Sequence, residues 1–234
     1  SLLALQGPKA AATLQKLVTG NLTNLSFMEQ VAMEVPSINE KIGVMRCGYT
    51  GEDGFELSVS NTNAVKFWDL LCPEKNSEGI LPAALGARDS LRVEAGLCLY
   101  GHDIDENTTP VEAALRWLLG KRRRVEGGFK GFKQVEAQIS GQAEVKRLRV
   151  AFSFKGGPPA REGSTIHTLE GGEIGIVTSG ILSPSLKYNI GMGYVKKGLH
   201  KDGTDLLVRV RGKDYPMQIC KAKFITPNYY KKPL

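Results

Sequence analysis

Arg46-Cys47-Gly48-Tyr49-Thr50-Gly51-Glu52-Asp53-Gly54-Phe55-Glu56 is the stretch that organises this chain. The apolar run Ile42 to Met45 leads into it, three glycines fall within seven positions, and alternation resumes at Phe55, Leu57 and Val59. That pattern predicts strand, tight loop and strand. Glycines at 48, 51 and 54 permit positive φ and close backbone approach, which lets Tyr49 and Glu56 converge on something held against the loop. The same residues also suit a β-hairpin with an elaborate turn, in which Tyr49 packs and Glu56 is solvated.

Around this hairpin the pattern is mixed. Leu2 to Gln6 predicts a short strand, and Gly7-Pro8 opens a helix to about Val18, with Ala11, Leu14 and Leu17 on its buried face and proline in the first turn, where its missing N–H costs nothing. Strands are expected at 31–35, 41–47 and 55–59. A helix from Asn61 to Leu71 should bury Val65, Trp68, Leu70 and Leu71, and another from Ala83 to Ala95 has Leu85, Leu91 and Val93 as its apolar positions. Gly96 ends that helix. On it Arg88 and Arg92 lie four apart, with Asp89 adjacent to Arg88. Strand, helix, strands and helix in this order give an α+β sandwich with helices on one sheet face.

The next helix signal is Thr109 as N-cap, Pro110 at the first position and Glu112 completing a capping box before Ala113 to Trp117. Gly120 closes that helix, Lys121-Arg122-Arg123-Arg124 follows, and Gly131 to Ser140 is helix-like. From Val145 short alternating runs at 145–154, 164–169, 173–182, 188–195, 205–211 and 215–224, split by glycine-rich turns, predict a small antiparallel barrel or sandwich. The expected division is 1–143 and 144–234.

At 234 residues and 41% hydrophobic, the chain has material for one large or two medium globular domains. No apolar run approaches the ~20 residues of a membrane-spanning helix. Ser1 to Gln6 has neither Met nor a basic region, and reads as a cut through a domain and not as a signal peptide. Net charge is +7 with a pI of about 9.2, which suits an acidic partner or polyanionic ligand. Cys47, Cys72, Cys98 and Cys220 are far apart and sit among apolar residues, as buried reduced thiols in a reducing compartment do.

Several features point away from other chemistry. The 121–124 run reads as a solvated helix terminus favoured by the helix dipole, and lacks the interleaved aromatics of a nucleic-acid site. Asp103, Asp105 and Glu106 lack calcium-loop spacing and suit turn and cap chemistry. His102, His167 and His200 have no metal spacing. Gly191-Met192-Gly193 lacks the third glycine of a dinucleotide fingerprint and reads as a strand kink.

Three stretches taken together stand out: Arg46–Glu56, Leu85–Leu97 and Tyr100–Glu112. They resemble the aminomethyltransferase family of the glycine cleavage system, the T-proteins, and the similarity continues through Trp117, Gly120 to Arg124, Thr178-Ser179-Gly180, Ser183 to Lys187 and Pro227-Asn228-Tyr229-Tyr230. It spans essentially the whole chain in order.

The resemblance implies transfer of a one-carbon unit from an aminomethyl group on the lipoyl arm of a carrier, the H-protein, to tetrahydrofolate, with release of ammonia. It implies partnership with the other glycine cleavage components, and neither nucleic acid, nor membrane, nor metal. The expected fold is a folate-binding cloverleaf with a ferredoxin-like α/β sandwich region, closed by a C-terminal antiparallel β-barrel. Glu56 matches the family's pterin-binding glutamate, and Tyr49 a cavity-lining position. Arg88 matches its folate-binding arginine, Tyr229 a substrate-contacting tyrosine, and Trp117 an aromatic beside the ligand, with plain core packing as the other reading of Trp117. Lys121, Arg122 and Arg123 are the candidate carrier-docking cations.

Family members extend further ahead of the point equivalent to Ser1, and their proton-transfer aspartate lies there, so the catalytic residue is not in this sequence and residues 1–234 alone are expected to be inactive. Such a protein resides in the mitochondrial matrix in a eukaryote and in the cytoplasm in a bacterium. The alternatives within the fold are a folate-dependent demethylase and a non-catalytic folate-binding paralogue that serves iron–sulfur assembly. Tyr49 to Gly54 does not look like the cysteine-containing signature of the latter.

Overall fold

The structure is a computed structural model that describes residues 1–72 and 79–233. Its contacts divide the chain into two compact units, Ser1–Ala95 with Ile225–Leu234, and Gly96–Phe224.

The first unit holds β1 (Leu2–Gln6), α1 (Ala10–Gln15), β2 (Gln30–Val35), β3 (Glu40–Met45), β4 (Gly54–Ser58), α2 (Ala64–Leu71) and α3 (Leu85–Glu94). Its sheet runs β1-β4-β3-β2, with every neighbouring pair antiparallel. The register pairs Leu5 with Phe55, Val44 with Leu57, and Met33 with Ile42. Because side chains alternate along a strand, these residues share one face, where they pack against Ala10 and Leu14 of α1 and Phe67 and Leu71 of α2. The opposite face carries Ala4, Glu56, Met45, Gly43 and Ala32, all half-buried or exposed.

The expected helix faces need correction. In α2 the buried pair is Phe67 and Leu71, four apart, while Val65 is 73% and Trp68 42% exposed. Leu70 and Leu71 pack on the core as expected, and Phe67 takes the place expected of Val65 and Trp68. In α3 Val93 is buried between Arg92 and Glu94, and Leu85 and Leu91 are exposed. α1 stops at Gln15, short of Val18, where the Gln15 amide binds the following turn: its Nε2 donates to the Gly20 carbonyl and its Oε1 accepts from Leu22 N–H.

In the second unit α4 (Lys121–Glu126) and α5 (Phe132–Ser140) precede β5 (Arg147–Phe154), β6 (Thr165–His167), β7 (Glu173–Leu182), β8 (Asn189–Lys196), β9 (Asp205–Val210) and β10 (Lys213–Cys220). The six strands close into an antiparallel barrel in the order β10-β5-β8-β7-β6-β9. Closure removes the free sheet edges, and Val150, Phe152, Ile166, Val177, Val208 and Ile219 form its core. Gly191 and Gly193 stand in β8 opposite a register shift in β7 between Val177 and Ser179, and a Cβ at Gly193 would strike the Ile176 carbonyl. The expected kink therefore lies in β7, since β8 pairs with β5 without a break through Gly191-Met192-Gly193, where glycine is needed for close approach to β7.

The expected helix after Pro110 does not form. The capping box does: Glu112 N–H donates to Thr109 Oγ1 at 3.2 Å and Thr109 N–H donates to Glu112 Oε2 at 3.1 Å. However, Ala114 is left-handed at φ 55° and only a 3₁₀ turn at Arg116–Leu118 follows. The physical reason is Arg149 of β5. Its N–H donates to the Glu112 carbonyl at 2.7 Å and its Nε to the Ala113 carbonyl at 2.7 Å, which occupies the acceptors that the next helical turn needs.

The compact units also divide the chain elsewhere than at 143/144. Residues 96–120 are stapled to the barrel by these bonds, by Thr178 Oγ1 to Asp103 Oδ1 at 2.5 Å, and by Tyr194 hydroxyl to the Asp103 carbonyl at 2.7 Å. Burial, first among the causes, pushes the Tyr194 phenol up to about 12, so it remains a donor. Asp105 caps its own turn through Asn107 N–H and Thr108, as turn chemistry requires.

Arg149→Met should cost about 1–3 kcal/mol, because it leaves the buried Ala113 carbonyl unpaired. Urea denaturation checks this, and an unchanged midpoint would remove Arg149 as the staple.

Candidate functional site

The glycine loop is shaped around one side chain. Gln6, at the end of β1, donates from Nε2 to the carbonyls of Cys47 at 3.0 Å and Phe55 at 3.3 Å, and its Oε1 accepts from Thr50 Oγ1 at 3.0 Å. A Cβ at Gly48 or Gly54 would overlap that amide, and Gly51 is left-handed at φ 79°. All three glycines therefore have a steric reason.

Beneath the loop lies Arg46, which is 3% exposed. Its Nε and Nη2 donate to the two oxygens of Asp53 at 2.9 and 2.6 Å, and its Nη1 donates to the carbonyls of Leu22 at 2.8 Å and Leu25 at 2.9 Å. Its guanidinium carbon stands 3.8 Å from the Tyr230 ring centroid and 5.1 Å from that of Phe55.

Tyr230 belongs to a C-terminal strap that returns to the first unit. Ile225 N–H donates to the Glu94 carbonyl. Asn228 N–H donates to the Gly51 carbonyl at 2.9 Å, and its Nδ2 to Glu52 Oε1 at 3.0 Å. Tyr229 stacks on Phe27 at 4.0 Å with the rings 10° from parallel, and burial pushes its phenol up. Phe27 N–H donates to the Tyr230 carbonyl at 2.9 Å, and the Tyr230 hydroxyl to the Thr23 carbonyl at 3.1 Å.

Glu56 sits in β4 between Ala4 and Met45, half-buried, on the sheet face turned away from the hydrophobic core. Among the described residues no basic side chain forms an ion pair with it. Its neighbour is Cys47: burial first, then the Glu56 charge and a side-chain hydrogen bond to it, push that thiol up. Cys47, Cys72, Cys98 and Cys220 form no disulfide, and each is half-buried where full burial was expected.

The exposed Arg88 lies over the Tyr49 ring, its guanidinium carbon 4.9 Å from the centroid. Asp89 turns the other way and pairs with Arg92 at 2.7 Å, which leaves the Arg88 guanidinium to Tyr49. The structure thus joins Tyr49 to Arg88, Tyr229 to Phe27, and Glu56 to Cys47. Neither the concavity at Thr19, Met33 and Lys41 nor the one at Phe154, Leu206 and Met217 includes Glu56, Tyr49, Arg88 or Tyr229.

In the second unit, Trp117 lies in the 3₁₀ turn and is 70% exposed, so it is not packed in a core. Lys121 and Arg122 open α4 instead of following a helix, so the helix dipole opposes them where it was expected to favour them. Arg122 pairs with Glu126 at 2.9 Å, and Arg123 donates to the Gly127 carbonyl at 3.1 Å. Among the described residues no group of three or more His, Cys, Asp or Glu could hold a metal ion, and no helix is long and apolar enough to cross a membrane.

Sequence reasoning missed Arg46, Asp53, Gln6, Phe27 and Tyr230. Arg46 and Asp53 flank two of the loop glycines inside the quoted stretch, seven positions apart, which was the available signal. Phe27 had none.

An antiparallel α+β unit with a carboxylate on the sheet face away from its core and an aromatic strap at its glycine loop, together with a closed β-barrel unit, defines a two-unit protein of mixed α+β class. Residues 1–123 match the family described as the GCVT N-terminal domain, and residues 147–225 the glycine cleavage T-protein C-terminal barrel domain. The chain belongs to the glycine cleavage T-protein family.

It is 49% identical over 231 residues to the mitochondrial aminomethyltransferase of Flaveria trinervia, and 51% identical over 230 residues to that of Mus musculus. The alignments cover 99% and 98% of this chain and 55% of each relative. The crystal structure of the glycine cleavage system aminomethyltransferase T from Bartonella henselae superposes with a TM-score of 0.87 at 38% identity, over 98% of this chain and 61% of that one. The chain thus spans little more than half the length of these relatives.

Proposed function

We propose that this chain carries the pterin-binding sheet and the barrel of a tetrahydrofolate-dependent aminomethyltransferase of glycine cleavage. The observation that carries the reading is Glu56: a half-buried carboxylate with no cationic partner among the described residues, at the end of the glycine loop, on the sheet face away from the core. A pterin presents adjacent N–H donors on its amidine edge, and two carboxylate oxygens match such a pair. The residues therefore fit the ligand. Tyr49 with Arg88 offers an aromatic face and a cation for the rest of a folate, and Tyr229 a ring at the substrate.

In the reaction the aminomethyl carbon leaves the lipoyl sulfur of an H-protein and bonds to folate nitrogens. The products are methylenetetrahydrofolate, ammonia and dihydrolipoyl carrier. This chain's residues bind and orient, and the proton acceptor belongs to the segment upstream in the family. The other glycine cleavage components are the further partners, and the compartment is the mitochondrial matrix or, in a bacterium, the cytoplasm. Relatives named mitochondrial support the first of these. For the domains, the six barrel strands, which all follow residue 144, and the family match at 147–225 support a barrel domain beginning near 144.

Removing Glu56 strands pterin donors in a confined site, at a cost of about 2 kcal/mol or more. Calorimetry on full-length Glu56→Ala should show folate affinity reduced by tens of fold with folding intact. An unchanged affinity sinks the assignment.

A positioned base contributes ~10²–10⁴-fold. With Glu56 committed to the pterin and Asp89 held by Arg92, residues 1–234 expressed alone should bind folate weakly and release no ammonia from aminomethylated carrier. Turnover like that of the full-length enzyme would place the base within this chain.

For the carrier, the +7 charge and the exposed Lys121, Arg122 and Arg123 support electrostatic docking of an acidic partner, weakened by salt. Neutralising all three should raise the KM for carrier and leave folate binding unchanged. A change in stability alone would return them to the role of surface charge.

A further inference from the structure

We infer that Arg46 is a positioning residue, the centre of a clasp that fixes the C-terminal strap and, through it, Tyr229 at the ligand site. The inference rests on the folate reading above and assigns roles to Arg46, Tyr230 and Phe27, none of which touches the proposed pterin anchor.

Arg46 bonds at once to three segments distant in sequence. Two of its N–H groups go to Asp53 in the glycine loop, and two go to Leu22 and Leu25 in the connection after α1. Its flat face meets Tyr230 of the strap at 3.8 Å. Four N–H groups of five are thereby satisfied in one plane, and the ring closes one face of that plane against solvent. Lysine cannot reproduce this, because an ammonium has no planar fork and no stacking face.

The strap is otherwise held by single bonds, among them the Tyr230 hydroxyl to the Thr23 carbonyl, Asn228 to Glu52 and an ion pair of Lys232 with Glu29. Between Ile225 and Lys232 its backbone bonds run to Glu94, Gly51, Phe27 and Ser26, with no strand pairing. Tyr230 and Tyr229 are consecutive and their rings go to different partners, Arg46 for one and Phe27 for the other. Fixing Tyr230 on the guanidinium therefore fixes the backbone that presents Tyr229, and the Phe27 ring sets the tilt of Tyr229. The same guanidinium, through Asp53, holds the loop that presents Tyr49 and leads into Glu56. Loop and strap share one anchor, so ligand groups from both ends of the sequence are preorganised together.

The test uses hydrogen exchange and folate calorimetry on the full-length protein with Arg46→Lys, Tyr230→Ala and Tyr230→Phe. Exchange at Phe27 N–H and Asn228 N–H reports the strap, and exchange in β3, β4 and the barrel strands reports folding. Arg46→Lys and Tyr230→Ala should lose strap protection at least tenfold with sheet and barrel protection kept, and tetrahydrofolate affinity should fall at least tenfold. Tyr230→Phe, which keeps the ring, should retain both. If Arg46→Lys fails to fold, Tyr230→Ala carries the test alone. Strap protection kept in Tyr230→Ala overturns the clasp, and a lost strap with unchanged folate affinity overturns the positioning role. A wild-type protein that binds no tetrahydrofolate overturns the proposed function and the ligand half of this inference, while the exchange arm still decides the clasp.

Discussion

A guanidinium that is 3% exposed must have its donors satisfied, since desolvating an ion costs several kcal/mol even after relaxation. Arg46 meets that demand by drawing a carboxylate, two backbone carbonyls and two aromatic rings around it, and the shape of the first unit's functional end follows. The glycine loop must turn so that Asp53 faces back, which needs Gly51 left-handed and Gly48 and Gly54 free of side chains against Gln6. The connection after α1 must present the carbonyls of Leu22 and Leu25. The C-terminal strap must cross where Tyr230 can lie on the guanidinium.

The second unit is held together by a comparable device with a different consequence. Arg149 takes carbonyls at Glu112 and Ala113, and a segment with every local signal of a helix stops after one turn. A capping box is worth about 1 kcal/mol, and two hydrogen bonds from a strand locked in a closed barrel outweigh it. The basic run displaced from that lost helix then starts α4, where Lys121 and Arg122 sit against the helix dipole. Only Arg122 offsets this within the helix, through its pair with Glu126 one turn on.

Sheet period explains why Glu56 is available at all. One residue either side, Phe55 and Leu57, is fully buried, and a register slip of one would bury the carboxylate among Phe67 and Leu71. Alternation in β4 thus selects both the core and the proposed site from five consecutive residues. The residues Ala4 and Gly43 on the same face are small.

The sequence by itself determined the strands, since period-2 alternation and glycine turns are local signals, and with them the α+β region and the six barrel strands. It also determined that Arg46 to Glu56 is a strand, a glycine loop and a strand, and it carried the family resemblance. Only the tertiary structure decided which face of α2 is buried, that the helix after Pro110 fails, that Asp89 pairs with Arg92, and that residues 225–233 return to the first sheet. Each of these depends on a partner far away in sequence: Arg149 for the lost helix, Phe27 and Arg46 for the strap, the sheet itself for α2. Local propensity is worth a few tenths of a kcal/mol per residue, and such long-range contacts are worth more.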